Sequence, residues 1–227
     1  MNVAVIIPAL NEAGNISNLV KEIQEQRINL VIVVDNGSTD DTARLAKEAG
    51  AHVIGEPRRG YGYACAAGTA FALERGAELL VYIDGDYSSL PAEMPRLLAP
   101  LREGKADLVL GSRTLGHIAT GAMPPHQRFG NWLSSRLMSA LYGIPITDLG
   151  PYRAIRADLL ARLEMREMTF GWPTEMMVKA AKQNMRLLEV PVSWHSRRSG
   201  KSKVSGTLRG SILAAYYILG VTLRYAF

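Results

Sequence analysis

VYIDGDYSSLP (residues 81–91) ends an apolar run in two carboxylates, Asp84 and Asp86, with only Gly85 between them. Asp-Gly pairs favour tight hairpins. The segment that follows, LPAEMPRLLAPLREG (90–104), instead has helical spacing with Pro91 near its start. The strand therefore leaves into a crossover, and the same alternation repeats through the first half of the chain. NVAVIIP (2–8), LVIVVD (30–35), AHVIG (51–55), ELLVYID (78–84) and ADLVLGS (106–112) read as strands. Between them, Ile16, Leu19, Val20 and Ile23 recur at helical spacing, STDDTARLAKEAG (38–50) reads as a helix, and GYACAAGTAFALERG (62–76) as a helix of small residues. Continuous apolar strands separated by helices predict an α/β fold with a Rossmann-like, mostly parallel sheet covered on both faces. Ligands of such sheets sit beyond the carboxyl ends of the strands.

The polar residues gather at that edge. Asn11 and Glu12 follow the first strand, Asp35, Asn36 and Ser38 the second, and Arg58, Arg59 and Gly60 the third. Asp84 and Asp86 follow the fourth, and Ser112 and Arg113 the fifth. Two adjacent carboxylates repel unless a cation joins them, and hard oxygen ligands suit Mg²⁺ or Mn²⁺ holding a phosphate. Asp35 closes a buried strand, which costs energy without a partner; an acidic residue there commonly grips a ribose hydroxyl. Ser38 with Asp41 resembles a capping box for the helix at 38–50. EPRRGYGYA (56–64) offers arginines and glycines for close approach to a base or phosphate.

Several classes fall away. There is no GxGxxG after the first strand and no GxxxxGK[ST], which argues against dinucleotide oxidoreductases and P-loop phosphotransferases. The histidines at 52, 117, 126 and 195 lack metal-ligand spacing, so zinc is not expected. Nor is acyl transfer, since no GxSxG or Ser/His/Asp pattern occurs. The single cysteine, Cys65, sits among small residues and reads as packing; it excludes an internal disulfide and suits a cytoplasmic location. MNVAVIIPALNE lacks the pattern of a signal peptide, and no apolar window is long enough to predict a spanning helix.

The second half is less regular. Residues 114–125 read as a flexible loop, 128–143 as an amphipathic helix, 146–155 as turn and strand, 173–184 as a helix and 186–194 as a strand. SRRSGKSKVSG (196–206) is a basic, glycine- and serine-rich loop before a closing helix at 207–226. Charge is unevenly placed. Six of the 26 basic residues follow Glu189, the last acidic one, leaving 20 against 21 acidic residues before it. The basic tail should face an anion. It lacks interleaved aromatics, so nucleic acid is not expected; a phosphate or an anionic membrane surface is. A basic loop followed by an apolar helix segment suits peripheral attachment to the cytoplasmic membrane face, and packing on the chain's own domain or on a homodimer partner is the alternative.

IIPALNE (6–12), VVDNGSTDDT (33–42), RRGYG (58–62), DGD (84–86) and GSR (111–113), in that order, resemble family 2 glycosyltransferases. ITD (146–148) and RRSGKSKVSG with its following helix are most similar to polyprenyl-phosphate (dolichyl-phosphate) hexose synthases. The resemblance implies a GT-A type fold, a nucleotide-sugar donor of UDP-glucose or GDP-mannose type, Mg²⁺ or Mn²⁺, and inverting transfer to a polyprenyl phosphate. It divides one compact domain into a nucleotide-sugar-binding half (1–113) and an acceptor-binding half (114–227). Carried onto this chain, Pro8, Ala9, Asn11, Glu12, Asp35, Asn36, Ser38, Arg59, Gly60, Gly85 and Arg113 bind the donor, and Asp84 and Asp86 hold metal and diphosphate. Arg153, Arg197, Arg198, Lys201 and Lys203 contact phosphate, with Arg198 also stabilising charge during transfer. The chain carries Ser88 where those relatives usually have Gln, and DLGPYR (148–153) is one residue shorter than their matching segment. A hydroxyl acceptor would need a carboxylate base, for which Asp148 and Glu175 are the candidates. A nucleotidyltransferase is the non-glycosyl alternative, and a nucleotide- or lipid-binding module without catalysis is the third reading.

Overall fold

A computed structural model describes residues 1–28, 30–200 and 208–226. Among these, seven strands form one sheet: β1 (Val3–Ala9), β2 (Leu30–Asp35), β3 (His52–Gly55), β4 (Leu79–Tyr82), β5 (Leu108–Ile118), β6 (Arg153–Arg156) and β7 (Leu187–Trp194). Their spatial order is β3-β2-β1-β4-β6-β5-β7. β6 runs antiparallel to both neighbours and every other pairing is parallel, so the mostly parallel α/β sheet expected from the alternation is present.

Side chains alternate across the sheet, and both faces are covered. Val3, Val5 and Ile7 of β1 pack against Ile16, Leu19, Val20 and Ile23 of α1 (Ile16–Glu25) and Leu97, Leu98 and Leu101 of α4 (Met94–Arg102). Ala4 and Ile6 face the other layer, with Ala64, Cys65 and Ala72 of α3 (Tyr61–Leu73) and Trp172, Met176 and Met177 of α7 (Trp172–Lys182). The small residues of α3 let it lie close to the sheet: a Cβ at Gly68 would come within 2.5 Å of Ile6. Cys65 is buried in that contact, and burial pushes its thiol up, in keeping with a packing role. The remaining helices are α2 (Thr42–Glu48), α5 (Pro125–Tyr142), α6 (Ala157–Arg162) and α8 (Leu208–Arg224), the last packed on α5 and α7.

Three expectations change. α2 starts at Thr42 instead of residue 38, and Asp41 at its N-cap makes no side-chain capping bond. Ser38 Oγ accepts from the Asn11 N–H at 2.9 Å instead, and Asp40 Oδ1 accepts from the Thr42 N–H at 3.0 Å. The loop expected at 114–125 is shorter, because β5 continues to Ile118 and pairs His117 with Ser193 and Ile118 with Trp194. That end of β5 is largely exposed, so it carries no apolar run to announce a strand. Finally, position 113 lies inside β5, and β6 from the second half sits between β4 and β5 of the first; the two halves share one sheet. No helix among the described residues is long and apolar enough to cross a membrane.

Candidate active site

The polar residues at the strand ends surround a cavity of about 570 Å³. Its floor is the turn after β4. Burial, followed by the neighbouring charge of Asp86, pushes the Asp84 carboxyl up to about 7, although its Oδ1 accepts from the Tyr61 hydroxyl at 3.2 Å. Tyr87 has left-handed backbone (φ +64°), which turns the chain back so that Ser88 faces Asp86. Ser88 donates to Asp86 Oδ1 from its N–H (3.0 Å) and its hydroxyl (2.6 Å). Ser88 therefore fixes the rotamer of the second carboxylate. Asp86 Oδ2 lies 3.8 Å from Arg197, whose guanidinium also donates to Glu12 Oε1 at 2.6 Å. Among the described residues no group of three or more His, Cys, Asp or Glu could enclose a metal. Two carboxylates are what Mg²⁺ or Mn²⁺ needs when phosphate oxygens and waters complete its shell, so the donor set at Asp84 and Asp86 fits such an ion.

The donor-side wall is laced by hydrogen bonds among polar side chains and backbone. Asn11 adopts left-handed backbone (φ +54°), accepts from the Thr39 N–H at 2.8 Å, and meets Ser38, whose own N–H donates to Asp35 Oδ1 at 2.9 Å. Asn36 donates to the carbonyls of Glu56 (2.9 Å) and Arg58 (2.8 Å) and accepts from the Gly60 N–H at 2.9 Å. Gly60 is required there: its φ is +152°, and a Cβ would lie 2.4 Å from the Met168 carbonyl. Arg58 turns away to pair with Glu56, while Arg59 passes over Gly37 and lines the cavity.

The opposite wall draws on distant elements. Arg113 faces the cavity, held by fully buried Asp148 through its N–H (2.6 Å), Nε (2.8 Å) and Nη2 (2.6 Å). Its guanidinium stacks 4.8 Å from the Trp194 ring centre. Thr169, Phe170 and Trp194 continue the wall, and Leu213 and Tyr217 of α8 close it.

Of the residues expected at a donor site, Pro8, Ala9, Glu12, Asn36, Arg59, Gly60, Asp84, Gly85, Asp86 and Arg113 line the cavity, as does Arg197. Asn11, Asp35 and Ser38 stand behind the wall as its supports. Neither candidate base is brought to the cavity. Asp148 is engaged bidentately by Arg113, and Glu175 is buried in the first turn of α7, accepting from Tyr225, Lys179 and two backbone N–H groups. Arg153 is also withdrawn from any acceptor phosphate: it is buried and donates to the carbonyls of Gly150 and Pro173. Arg198 lies over the Tyr87 ring at 3.6 Å, outside the cavity lining. Lys201 and Lys203 lie outside the described residues. Sequence reading missed Tyr61, Thr169, Phe170, Trp194, Leu213 and Tyr217. Tyr61 sits inside the quoted RRGYG segment and could have been found there; the others read as ordinary core residues.

Comparison with known proteins follows from this geometry. The family model described as Glycosyl transferase family 2 matches residues 4–164. An uncharacterised glycosyltransferase of Mycobacterium bovis is 39% identical over 93% of this chain and 94% of its own length. An undecaprenyl-phosphate mannosyltransferase of Micrococcus luteus is 31% identical over 99% of this chain and 96% of its own. A polyprenol monophosphomannose synthase of Mycolicibacterium smegmatis is 31% identical over 89% and 81%. Among solved structures, glucosyl-3-phosphoglycerate synthase from Mycobacterium tuberculosis with Mn²⁺, UDP-glucose and phosphoglyceric acid superposes with a TM-score of 0.80. That likeness covers 99% of this chain and 79% of the other at 22% identity, and it shows a shared fold.

Proposed function

The chain belongs to glycosyl transferase family 2, and from that premise we propose that it moves a hexose, with inversion, from a nucleotide sugar to a polyprenyl phosphate. The observation that carries this reading is the charge inventory of the cavity. Among the described residues its carboxylates are Glu12, Asp84 and Asp86, and its cations are Arg59, Arg113 and Arg197. Glu12 is engaged by Arg197 and Asn15, and the aspartates form the metal-binding floor of this reading. No lining carboxylate is left for a base. A phosphate acceptor arrives ionised and needs positioning without deprotonation, whereas a hydroxyl acceptor would need that base.

Asp84 and Asp86 would hold Mg²⁺ or Mn²⁺. The ion, when bound, would neutralise charge building on the nucleoside diphosphate as it leaves. Arg113 contributes a second, fixed positive charge: Asp148 sets its orientation before substrate arrives, so little reorganisation is needed as charge develops. Arg197 spans Glu12 and Asp86, within reach of both the donor and an incoming phosphate. The relatives named as polyprenyl-phosphate enzymes transfer mannose, which makes GDP-mannose the first donor to test, with UDP-glucose beside it. The acceptor reading also brings the protein to a membrane surface. α5 exposes Phe129, Trp132 and Leu133, α8 exposes Tyr216, and no carboxylate follows Glu189 to repel anionic lipid.

The test is incubation with a panel of nucleotide sugars and Mn²⁺ or Mg²⁺, with and without undecaprenyl phosphate. Metal-dependent transfer to the lipid phosphate is expected. Turnover with a hydroxyl acceptor alone would overturn the acceptor assignment, and absence of any metal-dependent nucleotide binding would overturn the donor site.

A further inference from the structure

Glu175 is a fully buried carboxylate that the reaction above does not use. All its acceptor capacity is directed to two separate parts of the molecule. Oε2 accepts from the N–H groups of Arg166 (2.8 Å) and Glu167 (2.7 Å), and Oε1 from the Tyr225 hydroxyl (2.6 Å), with Lys179 Nζ 2.9 Å away. Tyr225 lies just past the end of α8, and Lys182 donates to its carbonyl at 2.7 Å. The 166–170 segment leads directly into the cavity wall at Thr169 and Phe170. Its Met168 carbonyl accepts from the Tyr63 N–H at 3.3 Å, two residues along α3 from Tyr61, whose hydroxyl reaches Asp84. Packing reinforces the link, since a Cβ at Gly171 would meet Val221 of α8 and Glu167, both at 2.8 Å.

We propose that Glu175 is a positioning residue for the acceptor side of the cavity, bracing α8 and the 166–170 segment against one another so that Leu213, Tyr217, Thr169 and Phe170 form one wall. This rests on the glycosyl-transfer reading only for the identity of the acceptor. Buried ion pairs add little net stability over apolar packing of the same volume. What this one supplies is a fixed geometry: one carboxylate joins the 166–167 amides to a hydroxyl 50 residues beyond itself in sequence. The donor-side hydrogen bonds do not pass through Glu175; the Met168 carbonyl also packs against Gly60 of the donor wall, so donor KM is the control for the brace.

The experiment is Tyr225→Phe, which removes one hydroxyl and keeps the ring beside Lys179. Kinetics would be measured with undecaprenyl phosphate in detergent micelles and the nucleotide sugar found active, alongside hydrogen exchange of the free protein. Expected are a rise of at least about tenfold in acceptor KM, the scale of one hydrogen bond to a charged group, an unchanged donor KM, and faster exchange at residues 166–170. A merely structural role would lower thermal stability and leave the ratio of the two KM values alone. An acceptor KM within about twofold of wild type, or a parallel rise in donor KM, overturns the proposal. If the wild type transfers nothing to undecaprenyl phosphate, the acceptor reading fails, and exchange in free Y225F decides the brace alone: faster at 166–170 supports it, unchanged overturns it.

Discussion

The two sides of the cavity are built by different means. On the donor side, each residue sits within a few positions of a parallel strand's carboxyl end, and its support comes from polar groups at the same edge: Asn11 with Ser38 and Thr39, Asn36 with Gly60, Ser88 with Asp86. On the acceptor side, β5, β7, the segment before α7 and α8 meet across long sequence separations, and the supports are buried ions, Asp148 on Arg113 and Glu175 on Lys179 and Tyr225. A strand end is a fixed address for chemistry. A wall assembled from several elements has no address until those elements pack.

The sharpest way to break this contrast is at the floor. Asp86→Ala removes an oxygen ligand and leaves Ser88 without its acceptor. Groups that merely support a metal ligand cost roughly 10–100-fold when removed, so losing the ligand should cost at least about 100-fold in turnover. Nucleotide affinity measured calorimetrically should lose its dependence on Mn²⁺. An affinity that keeps its full metal dependence would mean the floor is not the ion's site.

Next in size is the ion pair that holds Arg113. Removing one partner of a buried pair typically costs about 3–5 kcal/mol, and Asp148→Ala should approach that in urea unfolding. Asp148→Asn keeps the shape and discriminates roles. As an orienting group, its replacement lowers turnover while the pH dependence of the rate keeps its shape; as a base, its replacement abolishes the limb that reports the base. Loss of that limb would move Asp148 into the chemistry and restore the hydroxyl-acceptor alternative.

This asymmetry also explains what the sequence disclosed. Continuous apolar runs separated by helical runs mark a parallel sheet, and polar residues just beyond them mark its ligand edge; Asp84, Asp86, Arg59 and Glu12 were legible on that basis. Asp148 and Glu175 read as candidate bases for a hydroxyl acceptor, and the structure holds one on Arg113 and the other on Lys179 and Tyr225, away from the cavity lining. Burial and partners, rather than residue type, decide whether a carboxylate faces substrate, and both are products of tertiary packing. Phe170, Trp194 and Tyr217 carried no signal, because an aromatic that lines a cavity and one that fills a core look alike in one dimension. The outer part of β5 was missed for the converse reason: His117 and Ile118 pair with Ser193 and Trp194 of β7 at the end of a largely exposed stretch that carries no apolar run.

The acceptor wall supplies the third test. Tyr217→Ala removes an aromatic face from it. At about 1.5–3 kcal/mol for a buried large apolar side chain, and with Tyr217 only partly buried, roughly a tenfold rise in acceptor KM is expected. Donor KM should not change. A parallel loss of donor affinity would show that the two sides are not separable.

The smallest effect separates the two sides by their chemistry. Burial pushes Glu175 up, but the hydroxyl of Tyr225, the N–H of Glu167, Lys179 and the N–H of Arg166 together more than offset it and hold the carboxyl below its usual 4.5. The unfolded chain therefore takes up this proton more readily than the native one, so the contribution to stability is complete above about pH 4.5 and is lost as pH falls through the lower native value. Glu175→Gln cannot titrate. Its unfolding free energy should lie about 2 kcal/mol below wild type between pH 8 and 5.5, the scale of hydrogen bonds to a charged group. The gap should then narrow as pH falls below 4.5. Asn36 is bonded only to backbone groups of Glu56, Arg58 and Gly60 and does not titrate, so acid should raise hydrogen exchange at 166–170 before it does so at Gly60. Parallel stability curves down to pH 3.5, or simultaneous exchange on both sides, would show that ionic bracing does not distinguish the acceptor wall from the donor wall.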